Sequence, residues 1–176
     1  MTKSLELKRT HPLAFAIKMV WVAIALILLF KFGMGWFVKN YHFMVDTQDE
    51  KCIPEYSVYL IAKNPVRIEQ GKIYAFSAKG MQPFFKDNTV IGKYASGLEG
   101  DQISIQKSGV FVNDELVTEG YLLASKIQVP ANELYKSFVV PKGKVFFTGS
   151  APKSYDSRYW GLADQKQIIG EAIPLW

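Results

Sequence analysis

Cysteine and histidine are almost missing from this 176-residue chain, which has one Cys, at position 52, and two His, His11 and His42, both near the N-terminus. A single Cys closes no internal disulfide and cannot supply the thiolate set of a structural zinc site. With no His beyond position 42, a His-based catalytic centre in the rest of the chain is excluded, and chemistry there must come from Lys, Ser, Asp, Arg and Cys52. GxxxxGKS/T, GxGxxG and HExxH patterns are also lacking, so nucleotide-binding and zinc-hydrolase readings have no support, and neither cofactor nor metal is expected. There is no internal repeat and no low-complexity tract. A hydrophobic content of 49% is too high for a disordered chain. The length suits one domain of ordinary size with an appendage.

Hydropathy is concentrated at one end. From Leu13 to Val38 the chain is almost continuously apolar, and Met19–Phe30 carries no charge. Lys18 and Lys31 flank that stretch, and their stems can reach toward lipid headgroups, so the run is long enough to cross a bilayer. Trp21 and Trp36 suit interfacial depths. Lys3, Lys8, Arg9 and Lys18 against Glu6 give the leading flank a net charge of +3, whereas Lys39 and Lys51 against Asp46, Asp49 and Glu50 give the trailing flank −1. The expected topology is a cytoplasmic N-terminus (1–12), a transmembrane anchor (13–38) and an extracytoplasmic body (39–176). A cleaved signal peptide and a buried core helix compete with this reading. The first lacks a small-residue cleavage site, because Phe32-Gly33-Met34-Gly35-Trp36 follows the run, and the second lacks a polar face. Since most of the +5 total is an orientation signal on the anchor, a nucleic-acid partner is not expected.

The body is predicted to be mostly β. Short alternating or apolar runs fall at Ser57–Ala62, Lys72–Ser77, Thr89–Tyr94, Gln102–Gln106, Val110–Val112, Ser137–Val140, Lys144–Thr148 and Gln167–Ile173, separated by turn residues. That spacing implies an all-β sheet assembly or small barrel. Asn113-Asp114 predicts a tight hairpin. Only Asn132–Lys136 looks helical outside the anchor.

Three stretches carry chemistry when read together: Cys52-Ile53-Pro54 just after the anchor, Lys93 through Gly97-Leu98-Glu99-Gly100-Asp101, and Ser154-Tyr155-Asp156-Ser157-Arg158-Tyr159-Trp160-Gly161. In this order they resemble the signal peptidase I family, and within it the TraF-type peptidases of conjugative transfer, over about Cys52–Ala172. The physical requirement of such a site is simple. A thiol or hydroxyl nucleophile needs a base, and a lysine serves as one when burial among apolar groups disfavours its charged form. Val90, Ile91, Tyr94 and Ala95 offer Lys93 such a setting; a surface lysine at a strand end is the plain alternative.

The resemblance implies a signal-peptidase-like β assembly behind one transmembrane helix, with Cys52 as nucleophile and Lys93 as general base. It further implies that Ser154 orients the lysine, that Asp156 and Arg158 support the loop, and that the Cys52 backbone N–H serves an oxyanion. Cys52 replaces the family's serine, which leaves two interpretations, an active Cys–Lys dyad or a site that has lost activity. Ser57 is the alternative nucleophile, in which case Cys52 is structural. Glu50 stands where many members carry a second oxyanion donor, and Gly149-Ser150-Ala151 replaces the usual Gly-Asp-Asn. The implied function is a membrane-anchored endopeptidase of the inner (cytoplasmic) membrane with a periplasmic catalytic domain. It would process, and in the TraF branch cyclise, an exported precursor such as a conjugative pilin. Implied partners are that precursor, the lipid bilayer and conjugative transfer or type IV secretion components. The alternative is an inactive component of the same apparatus. A substrate strand is expected along the edge near Tyr56–Leu60, and Phe84 and Phe85 are expected to touch lipid, precursor or core.

Overall fold

The computed structural model describes residues 12–65 and 67–176, and the chain divides into two units after Asn40. In the first, α1 (Pro12–Asn40) is a 29-residue helix with no residue buried in protein. At ~1.5 Å per residue it is ~43 Å long, more than the ~30 Å of a bilayer core. Pro12 suits a first turn, where its missing N–H costs nothing. At the other end the Asn40 side-chain amide donates to the Trp36 carbonyl at 2.7 Å. The helix contains the expected anchor and is long and apolar enough to cross a membrane. Apart from Pro12, the expected cytoplasmic segment 1–12 lies outside the described residues.

The second unit is mostly β, as expected. Its strands are β1 (Tyr41–Val45), β2 (Val58–Lys63), β3 (Ile73–Ser77), β4 (Val90–Gly97), β5 (Gln102–Gln106), β6 (Gly109–Val112), β7 (Glu115–Thr118), β8 (Lys136–Val139), β9 (Lys144–Thr148), β10 (Ala163–Asp164) and β11 (Ile168–Pro174). They form a seven-stranded sheet, ordered β1-β2-β11-β3-β4-β9-β10, and a four-stranded sheet, ordered β7-β6-β5-β8, with antiparallel pairing throughout. Strand β3 is covered on both faces: Tyr74 and Phe76 enter one core, with Phe76 stacked on Phe147 at 4.3 Å, while Ile73 and Ala75 enter another. Neighbours on β9 point to different cores, Phe147 to that of the large sheet and Phe146 to a third cluster with Ile103, Ile105, Val110 and Val112 of the small sheet. This alternation along one strand fastens the two sheets together.

Asn113 and Asp114 both adopt positive φ, 49° and 68°, the requirement of a two-residue type I′ hairpin, between β6 and β7. Ala131–Leu134 forms a 3-10 turn where a weak helix was expected. Four elements have no counterpart in the sequence reading: β1, the two-residue β10, the one-turn helix α2 (Ser157–Trp160) and a 3-10 turn at Gln165–Gln167. The expected substrate edge near Tyr56–Leu60 is corrected. Strand β2 lies between β1 and β11, with Leu60 opposite both Phe43 and Ile173, so neither of its sides is open. Beside the cavity that Cys52 lines, the strand segment without a second ladder partner among the described residues belongs to β4. Val90–Lys93 of β4 pair with β3 on one side, while pairing with β9 on the other begins only at Tyr94.

At Gly170, beside the bulge where β11 changes register, an added Cβ would lie 2.3 Å from the Ala62 carbonyl oxygen. Backbone cannot yield as a flexible side chain can. Gly170→Val is therefore expected to cost about 1–3 kcal/mol, read as a lower urea midpoint at unchanged slope.

Candidate active site

The late loop is organised by one buried ion pair. Asp156 caps α2, its Oδ1 accepting the Arg158 backbone N–H at 3.2 Å. The same carboxylate takes a two-pronged contact from the Arg158 guanidinium, Nε to Oδ1 and Nη2 to Oδ2, each 2.8 Å. Its Oδ2 also accepts the Gly149 N–H at 3.2 Å. The remaining guanidinium donors reach the carbonyls of Ser154, Glu119 and Gly120. Both residues are wholly buried, and this donor set satisfies both charges. Burial opposes the Arg158 charge, but hydrogen bonding and attraction from Asp156 outweigh it and hold the guanidinium above its usual range. Ser157 adds a further clamp, its Oγ accepting the Phe147 N–H at 2.8 Å.

That loop presents Ser154 to Lys93. The Lys93 side chain is fully buried on β4, and its amine donates to Ser154 Oγ at 2.9 Å. The Phe85 ring lies 5.9 Å from Nζ. No carboxylate pairs with this amine among the described residues.

Cys52 reaches the same neighbourhood through Gly149. A Cβ on Gly149 would fall 2.3 Å from Ser154 Oγ and 2.4 Å from the Cys52 carbonyl oxygen, so only glycine lets these groups converge. The Cys52 carbonyl accepts the Ala151 N–H at 3.1 Å. Its own N–H has no partner among the described residues. The thiol is free and buried in the core of Phe85, Ile91, Ala95 and Tyr155. The Lys93 hydrogen bond goes to Ser154, and none joins Nζ to Cys52 Sγ among the described residues; such contacts often tighten only when substrate is bound.

Two cavities meet at Cys52. One, of about 220 Å³, lies between Met44–Gln48 and the open edge Thr89–Gly92. The other, of about 400 Å³, is walled by Phe84, Phe85, Leu123 and Tyr155, with Glu50 and Lys153 at its rim. Phe85 is therefore a buried wall between lysine and cavities, while Phe84 is 41% exposed. Glu50 is held by Lys153 and Lys126, so its carboxylate accepts contacts at the place where the resemblance implies a donor. Ser57 sits apart in its bonding: its Oγ accepts from Lys51, and its backbone N–H donates to the Trp176 carbonyl. Sequence reasoning named Gly149 only as a departure, gave Ser157 no role of its own, and left Phe85 between lipid, precursor and core, where the structure buries it in the core beside Lys93. The one available signal was a glycine directly after the buried Phe-Phe-Thr end of β9.

Residues 13–176 match the family described as signal peptidase, peptidase S26. The chain belongs to this family. Among individual signal peptidases, it is 26% identical over 145 residues to "Probable signal peptidase I-2" of Synechocystis, covering 80% of this chain but 64% of that protein's length. It is 28% identical over 166 residues to signal peptidase IB of Staphylococcus aureus, covering 85% of this chain and 83% of that protein. A crystal structure of a signal peptidase I from Enterococcus faecalis is similar over 61% of this chain and 98% of its own, at 25% identity and a TM-score of 0.40.

Removing one partner of the buried pair leaves the other charge stranded. Asp156→Ala is expected to lose about 3–5 kcal/mol of stability, measured by chemical unfolding. Lys144→Ala, which breaks a half-exposed pair with Asp164, should lose no more than ~1 kcal/mol.

Proposed function

We propose that this chain is a membrane-anchored endopeptidase acting on exported precursor polypeptides, with Cys52 as nucleophile and Lys93 as general base. The observation that carries it is the fully buried Lys93 amine, held by Ser154 Oγ at 2.9 Å, beside the Cys52 backbone that Gly149 admits. In the forward step the Lys93 amine, acting as base, takes the Cys52 S–H proton and the sulfur attacks the scissile carbonyl. The free Cys52 N–H donates to the oxyanion, and the departing amine takes the proton back from Lys93 as the thioester forms. Water, or an amine, then attacks the thioester carbonyl. Lys93 takes a proton from that attacking water or amine, the C–S bond breaks, and the proton passes to the Cys52 sulfur as the acyl product leaves. Substrate lies extended beside Val90–Gly92, where backbone groups have no strand partner on the cavity side among the described residues.

The finer reading is a TraF-type peptidase that matures, and cyclises, a conjugative pilin within a type IV secretion apparatus. What supports it is the close Cys52-Ile53-Pro54 spacing and the Gly149-Ser150-Ala151 departure. The membrane reading follows the charges: N-terminus in the cytoplasm, α1 across the inner membrane, and the body (39–176) in the periplasm.

Cys52→Ala is expected to abolish precursor processing in vesicles, Cys52→Ser to retain part of it, and Lys93→Met to lower the rate by ~10²–10⁴. Full processing by Cys52→Ala sinks the thiol mechanism, and unaltered Lys93→Met sinks the dyad. No processing by the intact chain, with Cys52→Ser gaining it, favours an inactive component. Intact-mass analysis of the product separates hydrolysis from cyclisation by one water. For topology, a periplasm-dependent reporter fused after Trp176 should be active; activity of a cytoplasm-dependent one overturns the orientation.

A further inference from the structure

We infer that the larger cavity beside Cys52 is a selective subsite for the leaving side of the substrate, built for an aromatic side chain followed by an acidic residue. The inference rests on the endopeptidase reading above. A peptide whose scissile carbonyl sits at Cys52 must leave it in two directions, and two cavities open from that residue. The smaller is bordered by the open edge of β4, which offers backbone hydrogen bonds and suits the acyl half that stays bound through the thioester. The larger touches that edge only at Thr89, and its walls are the side chains of Phe84, Phe85, Leu123 and Tyr155, so it takes the half that departs.

Its chemistry is specific. Phe84 and Tyr155 pack at 4.7 Å with a 53° tilt, and the Tyr155 hydroxyl is tied to the Gln82 carbonyl at 2.8 Å, which holds that ring in place. Tyr155 also stacks on Tyr159, and Leu123 closes the wall. Phe84 keeps 41% of its surface exposed in this wall, an apolar face open to a ring edge or face. At the rim, one carboxylate, Glu50, is shared by two ammonium groups, Lys153 at 3.4 Å and Lys126 at 3.7 Å. One positive charge is left over. That surplus complements an anionic side chain one residue beyond the ring and disfavours a cationic one.

The test uses the full chain in detergent and quenched peptides identical on the acyl side, with Phe-Asp, Ala-Asp, Phe-Lys or Ala-Lys after the scissile bond. The intact chain should favour Phe over Ala by about tenfold and Asp over Lys by about fivefold in kcat/KM. Phe84→Ala should erase the first preference and keep the second. Lys153→Glu should reverse the second and keep the first. Equal ratios in all three proteins, with cleavage still dependent on Lys93, overturn the subsite and leave the peptidase reading standing. If nothing is cleaved, the peptidase reading fails and the subsite is judged by binding alone. Anisotropy of labelled leaving-side peptides on the Cys52→Ala chain should show Phe-Asp at least fivefold tighter than Ala-Lys, lost in the double variant with Phe84→Ala and Lys153→Glu. Equal affinities there overturn it.

Discussion

Everything at the site hangs on the pairing of Asp156 with Arg158. A single carboxylate ends one strand's reach by holding the Gly149 N–H, starts a helical turn by capping the Arg158 N–H, and neutralises a guanidinium buried beside it. The guanidinium in turn ties down three carbonyls from two distant stretches of chain. Charges this deeply buried are tolerated only when every donor and acceptor is used, and that exhaustive use makes the loop a single rigid unit. Ser154 is positioned because its own carbonyl belongs to that unit. Fully hydrogen-bonded neighbours thereby fix the direction of the Ser154–Lys93 hydrogen bond.

The site is assembled by exclusion as much as by contact. Gly149 matters for the atoms it does not have, since the space of its missing side chain is shared by Ser154 Oγ and the Cys52 carbonyl. Beside Lys93, likewise, no carboxylate pairs with the amine among the described residues. Its hydrocarbon stem lies in a strand whose same-face neighbours, Ile91 and Ala95, are buried and apolar. The charged groups near Cys52 are kept to the rim, at Glu50, Lys153 and Lys126, where solvent screens them.

Much of this was legible in the residues. Period-two patterning located β5 and β9 to the residue, because their faces differ sharply in polarity. Strand β1 was invisible since its apolar residues run on from the anchor and its inner face is only half buried. Helix α2 is a single turn whose stability comes from the Asp156 cap and the buried arginine, and local propensity says little about either. The order of Cys52, Lys93 and Ser154–Gly161 pointed to the family, but the convergence of Cys52 and Ser154 at Gly149 depends on pairings between residues about a hundred positions apart, which no local pattern encodes. The misplaced substrate edge had the same origin: β2 looked like a border because the return of the C-terminal strand to its flank is a long-range event.

The opposite allegiance of Phe146 and Phe147 has a mechanical consequence. Gly97 leaves no room for slack between Ile103 and Phe146, and just past β7 the Glu119 and Gly120 carbonyls are held by Arg158. The small sheet is thus tied to the large one at two places, once through β9 and once through the loop that presents Ser154, so a shift of the small sheet would pull on both.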